Sequence, residues 1–306
     1  MAHNMAQNMA HSMAQSMAQN LTHSVARHRM PTPRTVVFST SARRIAIGLA
    51  GTFLCLVVPQ ALAAQAPMAG GLPGAWVEAN AFAQSVTNGF GNWQGAYLRA
   101  VRPSARDTWY ADGLALRAFN ESGAQLGVAH RHDWSPRIFQ LLGVNVGSGA
   151  SILPRARADG AIGLRFGPAR RLQATAGLSY VKSVTTLSDL AGVASLAWYA
   201  PHHLVIDIGG RYNNSRPGNI QSHRISATTI WTPSARRTFS VRAIGGSEGW
   251  QIVSTGITLS RFHSQEASLA WREKLSSHLA LSAQADWYRN PFYTRSGVTL
   301  GVARYW

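Results

Sequence analysis

The closing stretch Ser296–Trp306 reads SGVTLGVARYW. Its apolar residues Val298, Leu300 and Val302 fall on alternate positions, and the stretch ends on Trp306. A period of two gives one apolar face and one small or polar face, which is a half-buried β-strand. A strand in that position leaves an unpaired edge unless its sheet closes on itself. Closure, an outward apolar band and an aromatic at the boundary together predict a β-barrel that crosses a membrane. The competing expectation is the last strand of a water-soluble all-β domain.

Composition agrees with the barrel. The chain has 306 residues, of which 46% are hydrophobic and only 13% charged, with a net charge of +17. Soluble domains carry roughly 25% charged residues. A basic excess often marks nucleic-acid binding. Here the arginines are spread singly, with no zinc-finger, helix-turn-helix or RNA-binding signature, so no nucleic-acid partner is expected. Cys55 is the one cysteine, so no internal disulfide can form. His130 with His132 and the pair His202-His203 have no further ligands spaced in sequence to join them. No metal site and no cofactor are therefore expected.

Residues 1–29 are tandem tetrads of the type MAHN and MAQS, a low-complexity run with no core-forming period. Met30 offers an alternative start. Residues 30–63 have the layout of a secretory signal: Arg43-Arg44, an apolar run from Ile45 to Val58, and the small-x-small site Ala61-Leu62-Ala63. The apolar run is too short for a spanning helix. Cleavage after Ala63 would leave a thiol-free chain with a periplasmic lead of residues 64–74 and a barrel over 75–306.

That barrel is expected to be all-β, closed, up-and-down and antiparallel, with about fourteen transmembrane strands. The segments run Trp76–Ser85, Trp93–Val101, Thr108–Phe119, Ala124–Trp134, Ile138–Ser148, Ala158–Phe166 and Leu172–Ser183. They continue Leu190–Tyr199, Leu204–Asn214, His223–Trp231, Thr238–Gly246, Glu266–Leu275, His278–Tyr288 and the closing stretch. One set of connections is short and often carries proline (RPSAR, SPR, GPAR, PHH, TPSAR, SS), as tight turns do. The other set is mostly longer, with Ser247–Gln265 the longest and NESG the exception. Short periplasmic turns alternating with longer outer loops are the membrane-barrel plan, which places both chain ends on the periplasmic side.

Side-chain alternation gives the facing. Leu172, Ala174, Ala176, Leu178 and Tyr180 read as lipid-facing, as do Leu204, Ile206, Ile208 and Tyr212. Trp231, Trp271, Trp287, Tyr180, Tyr199 and Tyr212 read as interfacial girdles. Asp112 falls on the apolar side of its strand and Arg304 sits close to the end, so both fit badly. Trp306 is read as the terminal aromatic used by the barrel-assembly machinery.

Several loose motifs recur together: Gly147-Ser148-Gly149 with Arg155, Ala158 and Asp159, then Leu178-Ser179-Tyr180 and Gly245-Gly246-Ser247-Glu248-Gly249. Trp271-Arg272 and Trp287-Tyr288-Arg289-Asn290-Pro291 complete the set. In these the sequence from about Leu142 resembles the YaiO-like outer-membrane barrel proteins. The resemblance implies the outer membrane and a link to surface polysaccharide. It brings no catalytic residues.

The charges read as lumenal are Arg99, Arg117, Arg165, Arg211, Arg224, Arg242 and Arg272, with Glu78, Asp159, Asp207, Glu266 and Asp286. One expectation is a cationic path for an anionic solute or polysaccharide, since arginine grips carboxylate and phosphate with a bidentate fork. The other is that the charges pair and fill the interior. Of 29 basic residues, Arg27, Arg29, Arg34, Arg43 and Arg44 precede the cleavage site, which leaves 24 against 12 acids. A rim hydrolase could be drawn from His223 or His263, Ser222, Ser260 or Ser264, and Glu266, but no GxSxG elbow accompanies them, and no enzyme is expected. The basic turns Arg102/Arg106, Arg170/Arg171 and Arg236/Arg237 are expected against anionic lipid headgroups or solvent, and the barrel as a whole is expected in outer-membrane lipid and lipopolysaccharide. The expected role is a small pore or an export or anchor component, against a receptor or adhesin with a closed lumen.

Overall fold

The computed structural model describes residues 74–183, 186–254 and 257–306; the tandem repeats and the secretory segment lie outside them. Fourteen strands follow one another: β1 (Trp76–Val86), β2 (Trp93–Pro103), β3 (Asp107–Ala118), β4 (Glu121–Asp133), β5 (Ile138–Gly147), β6 (Ala156–Phe166) and β7 (Leu172–Lys182). The rest are β8 (Ser188–Ala200), β9 (Leu204–Arg216), β10 (Ile220–Trp231), β11 (Arg237–Ser254), β12 (Ile257–Lys274), β13 (Leu279–Arg289) and β14 (Thr294–Tyr305). Each pairs antiparallel with the next, and β1 pairs with β14 from Trp76↔Tyr305 to Val86↔Arg295, so the sheet closes. Closure removes the edge that Val298, Leu300 and Val302 would otherwise present.

The alternation predicted for β7 and β9 holds. Leu178 is 64% exposed on the outer wall while Ser179 beside it is 2% exposed on the inner. Exposed Leu126, Ile162, Ile225 and Leu300 continue the apolar outer band. Aromatic rings bound it at both ends. Trp109, Trp134, Trp198 and Trp231 lie at the end where β1 begins and β14 ends (the terminal end), and Tyr180, Tyr212 and Trp287 lie toward the opposite end, the distal mouth. Such rings sit well where apolar and aqueous layers meet. Tyr199 departs from the expected girdle: it follows the inward positions Asp189, Ala191 and Ala197 of β8 and points into the barrel.

The distal connections are shorter than expected because the ladder takes up their residues. Ser247–Gln265 is not a free loop. Ser247↔His263, Glu248↔Phe262 and Trp250↔Ser260 continue the β11–β12 pairing well beyond the neighbouring strands. NESG likewise shrinks to the two-residue turn Phe119-Asn120, both in the left-handed region (φ 51° and 65°), which suits the twist of a tight hairpin. Arg304 lies on the outer wall beside the terminal end, opposite Leu279, so its poor fit reflects the boundary layer.

Candidate functional site

The interior has a charged wall and an apolar stopper, and both follow from strand parity. Along the wall, Arg99 meets Asp112 at 2.6 Å, Arg157 meets Asp159 at 2.7 Å and Arg272 meets Glu78 at 2.5 Å. Asp133 accepts from Arg131 at 3.1 Å and Arg165 at 3.2 Å. These pairs join positions on the same strand or on strands no more than three apart around the barrel, so they hug the wall. The Phe139 ring, fully buried, lies with its face toward the Arg131 and Arg165 guanidiniums at 4.2 and 5.2 Å. Gly163, its cross-strand partner, leaves the room that ring occupies, since a Cβ there would strike it.

Arg99, Arg165, Arg211, Arg224, Arg242 and Arg272 all lie on inward positions, as do Asp207, Asp286, Glu78, Asp159 and Glu266. Arg117 does not. It is exposed on the outer wall, opposite exposed Gln94, and Asp112 is the inward residue of that strand. The reason lies in the apolar face of β3. Leu114, Leu116 and Ala118 look like a lipid-facing row, but they pack inward against the stopper. Where the inside of a barrel is itself apolar, alternation no longer distinguishes inside from outside.

The stopper lies at the distal mouth. Val86, Trp93, Ala118, Phe119, Ile152, Leu153, Leu259, Phe262, Tyr288 and Tyr293 form one buried cluster, with Phe90 packed against it. Phe119 stands edge-on to Trp93 at 4.9 Å and to Tyr293 at 5.9 Å. A bulky residue seldom takes a left-handed φ; here the ring contacts hold it there. Ile152 and Leu153 come from the β5–β6 connection, which Glu121 tethers by accepting from the Ser151 amide at 3.0 Å and from its hydroxyl.

Beneath these rings lies a buried polar network. Glu248 accepts from the Ser264 hydroxyl and from Tyr288 Oη at 3.1 Å, and Arg224 Nη1 stands 3.8 Å away. Asn290 Nδ2 donates to Tyr288 Oη at 3.2 Å and to Gln251 Oε1 at 3.1 Å, and Gln251 Nε2 donates to Tyr293 Oη. Burial raises the Tyr293 phenol well above its usual pKa, so it stays a neutral donor-acceptor. The motifs GGSEG and WYRNP, 38 residues apart in sequence, therefore meet in one hydrogen-bonded unit. Gly246, at φ 146° and close against the β10 backbone, makes the bend before Glu248 that a side chain would block.

Glu248 was missed in the sequence because its segment read as a loop; the alternation Ile244, Gly246, Glu248 is the signal that could have found it. The residues of the drawn hydrolase set separate. Ser222 and Ser264 are buried on the inner wall, whereas His223 and His263 are exposed on the outer. Trp306 is 62% exposed, and its amide donates to the Ala75 carbonyl at 3.1 Å, extending the seam between β1 and β14.

One expectation about histidine fails. The Asp107 carboxylate crosses from β3 to meet His130 and His132 of β4, so the pair has a third ligand-type neighbour. It was invisible because Asp107↔His132 is a register contact across 25 residues.

Among solved structures, the fold is similar to the CymD monoaromatic hydrocarbon channel, with a TM-score of 0.54 at 7% identity, covering 77% of this chain and 89% of that one. It is also similar to a bacterial polysaccharide outer membrane secretin (TM-score 0.46, 8% identity, 76% and 98% covered) and to Omp33 of Acinetobacter baumannii (0.46, 10%, 76% and 98%). At such identities the likeness is one of fold. Among curated proteins, none matches the chain by sequence. The model of the YaiO membrane beta barrel domain matches residues 76–249, over half of the chain and from the first strand to the Glu248 motif. With the closed fourteen-strand sheet, that match makes the chain a member of the YaiO membrane β-barrel family.

Proposed function

We propose that this protein is a gated pore of the outer membrane, shut at rest at the distal mouth, which faces out of the cell. The observation that carries the reading is the make-up of the stopper. Phe90, Phe119, Ile152, Leu153 and Tyr293 belong to connections, so this half of the stopper can move off the strand-borne half without unpairing the barrel. The charged wall supports a water-filled path below it. Its acids are largely matched by arginines, which favours a weakly ion-selective path over a strongly cationic one. Surface polysaccharide is the first cargo on the family resemblance, its hydroxyls exchanging hydrogen bonds with the paired charges of the wall. No catalytic step is assigned. A closed-lumen receptor or anchor is the second reading, favoured by how completely the stopper is buried.

Planar-bilayer recording separates the two. The wild-type barrel should show rare, brief openings, and Phe119→Ala with Leu153→Ala should open it for most of the record. Arg242→Glu should then shift the reversal potential in a salt gradient toward cations. A doubly substituted barrel that inserts and folds but never conducts would hand the protein to the anchor reading.

A further inference from the structure

The Asp107, His130 and His132 cluster lies far from the stopper, on the outer wall at the terminal end. His130 and His132 are two apart on β4 and share its outward face with Leu126 and Val128. Asp107 opens β3 and is the register partner of His132. His130 Nε2 stands 2.8 Å and His132 Nδ1 2.7 Å from the same Asp107 Oδ1. The rings are held from both sides: Trp109 stacks on His130 at 4.3 Å and 25°, and Trp134 stands edge-on to His132 at 4.6 Å. Both histidines are about one-quarter exposed and Asp107 about one-third, so the trio opens to the water-facing edge of the wall.

We propose that this trio is a binding site for one divalent ion of the zinc class, which includes Zn²⁺, Cu²⁺ and Ni²⁺. Two imidazoles and a carboxylate are borderline donors that such ions prefer over oxygen-only sites, and three protein ligands leave a fourth position for water. The spacing fits after a small adjustment. Bonds of about 2.1 Å at tetrahedral angles set ligand atoms about 3.4 Å apart, so an ion would widen the separation of the carboxylate oxygen from each ring nitrogen by roughly 0.7 Å. As found, one carboxylate oxygen accepts a hydrogen bond from each ring. An ion at that point would take the lone pair of each ring nitrogen instead, with the hydrogen of each neutral imidazole carried on its other nitrogen, so protons compete with the ion for the same lone pairs. The aromatic rings fix the ring planes as outer-shell partners do in metal sites.

The test uses the barrel extracted from membranes in mild detergent and titrated with ZnCl₂ alone at pH 7.5, then at pH 5.5. One ion per barrel should bind at the higher pH, and at least tenfold more weakly at the lower. His130→Ala with His132→Ala should abolish that stoichiometric event, and Asp107→Asn, which keeps the shape, should weaken it by ten- to a hundredfold. Cu²⁺ should quench tryptophan emission in the wild type, and much of that quench should vanish in Trp109→Phe while the stoichiometry stays at one. Stoichiometric binding that survives in the double variant would place the ion elsewhere and overturn the assignment. So would the absence of binding to wild-type barrel that migrates as folded. If the double variant does not fold, an unchanged affinity in Asp107→Asn overturns it equally.

Discussion

The distal mouth and the terminal end are built by the same fourteen strands, yet they handle polar groups in opposite ways. At the mouth, Glu248, Gln251, Ser264 and Asn290 are buried beneath aromatic rings, each satisfied by another member of the network. At the terminal end, charged groups such as Arg165, Asp133 and Arg272 keep part of their surface in water. The difference teaches where single changes matter. A buried network fails as a unit, because any lost partner strands a desolvated group. A wetted pair can exchange its partner for solvent.

The largest effect should come from a residue that belongs to neither kind. Trp306 contributes one backbone hydrogen bond and little burial, so its removal should cut the amount of assembled barrel severalfold without changing the stability of what does assemble. Heat-modifiable migration of the outer-membrane fraction reads both quantities. A changed melting point in the assembled fraction would break the distinction between assembly and packing.

Next comes the mouth. Glu248→Ala leaves Arg224, Ser264 and Tyr288 without their shared acceptor, and removing one member of a buried charged set typically costs about 3–5 kcal/mol. Glu248→Gln keeps an acceptor oxygen and should lose less than half as much in urea unfolding from detergent. Equal losses would mean that shape, not the carboxylate, holds the mouth.

The terminal end should give less. Arg272→Ala removes the charged partner of Glu78, which keeps the Ser282 hydroxyl at 2.9 Å, and Arg272 is 32% exposed, so about 2 kcal/mol is expected, below the fully buried case. Arg304→Ala on the outer wall should stay within about 0.5 kcal/mol. A loss at Arg272 as large as at Glu248 would erase the contrast between the ends.

Much of the fold was readable because a period of two recurs through fourteen strands with short turns at every second connection; β7 and β9 needed nothing beyond alternation. What stayed hidden depends on neighbours that one sequence does not show. The inward face of β3 reads as lipid-facing because Leu114 and Leu116 pack on a stopper assembled from remote connections. The β11–β12 extension reads as a loop because Gly245, Gly246 and Gly249 weaken its alternation, and only pairing with β12 reveals a ladder. Asp107 joins His130 and His132 through register, which no spacing rule within the chain expresses. The inward arginines and most of the inward acids were legible, whereas which acid each arginine meets across the wall was not.

The wall-hugging ion pairs carry one more consequence. Opposite charges set side by side along the strands make the lining zwitterionic, with strong local dipoles and little net potential along the axis. Such a sleeve neither repels nor captures a passing ion for long. A hydroxyl-rich chain sliding through it could trade hydrogen bonds from one pair to the next at nearly constant energy. In the pore proposed above, the barrel would then act on a neutral polymer as a low-friction guide, with discrimination left to the aromatic rings at its mouth.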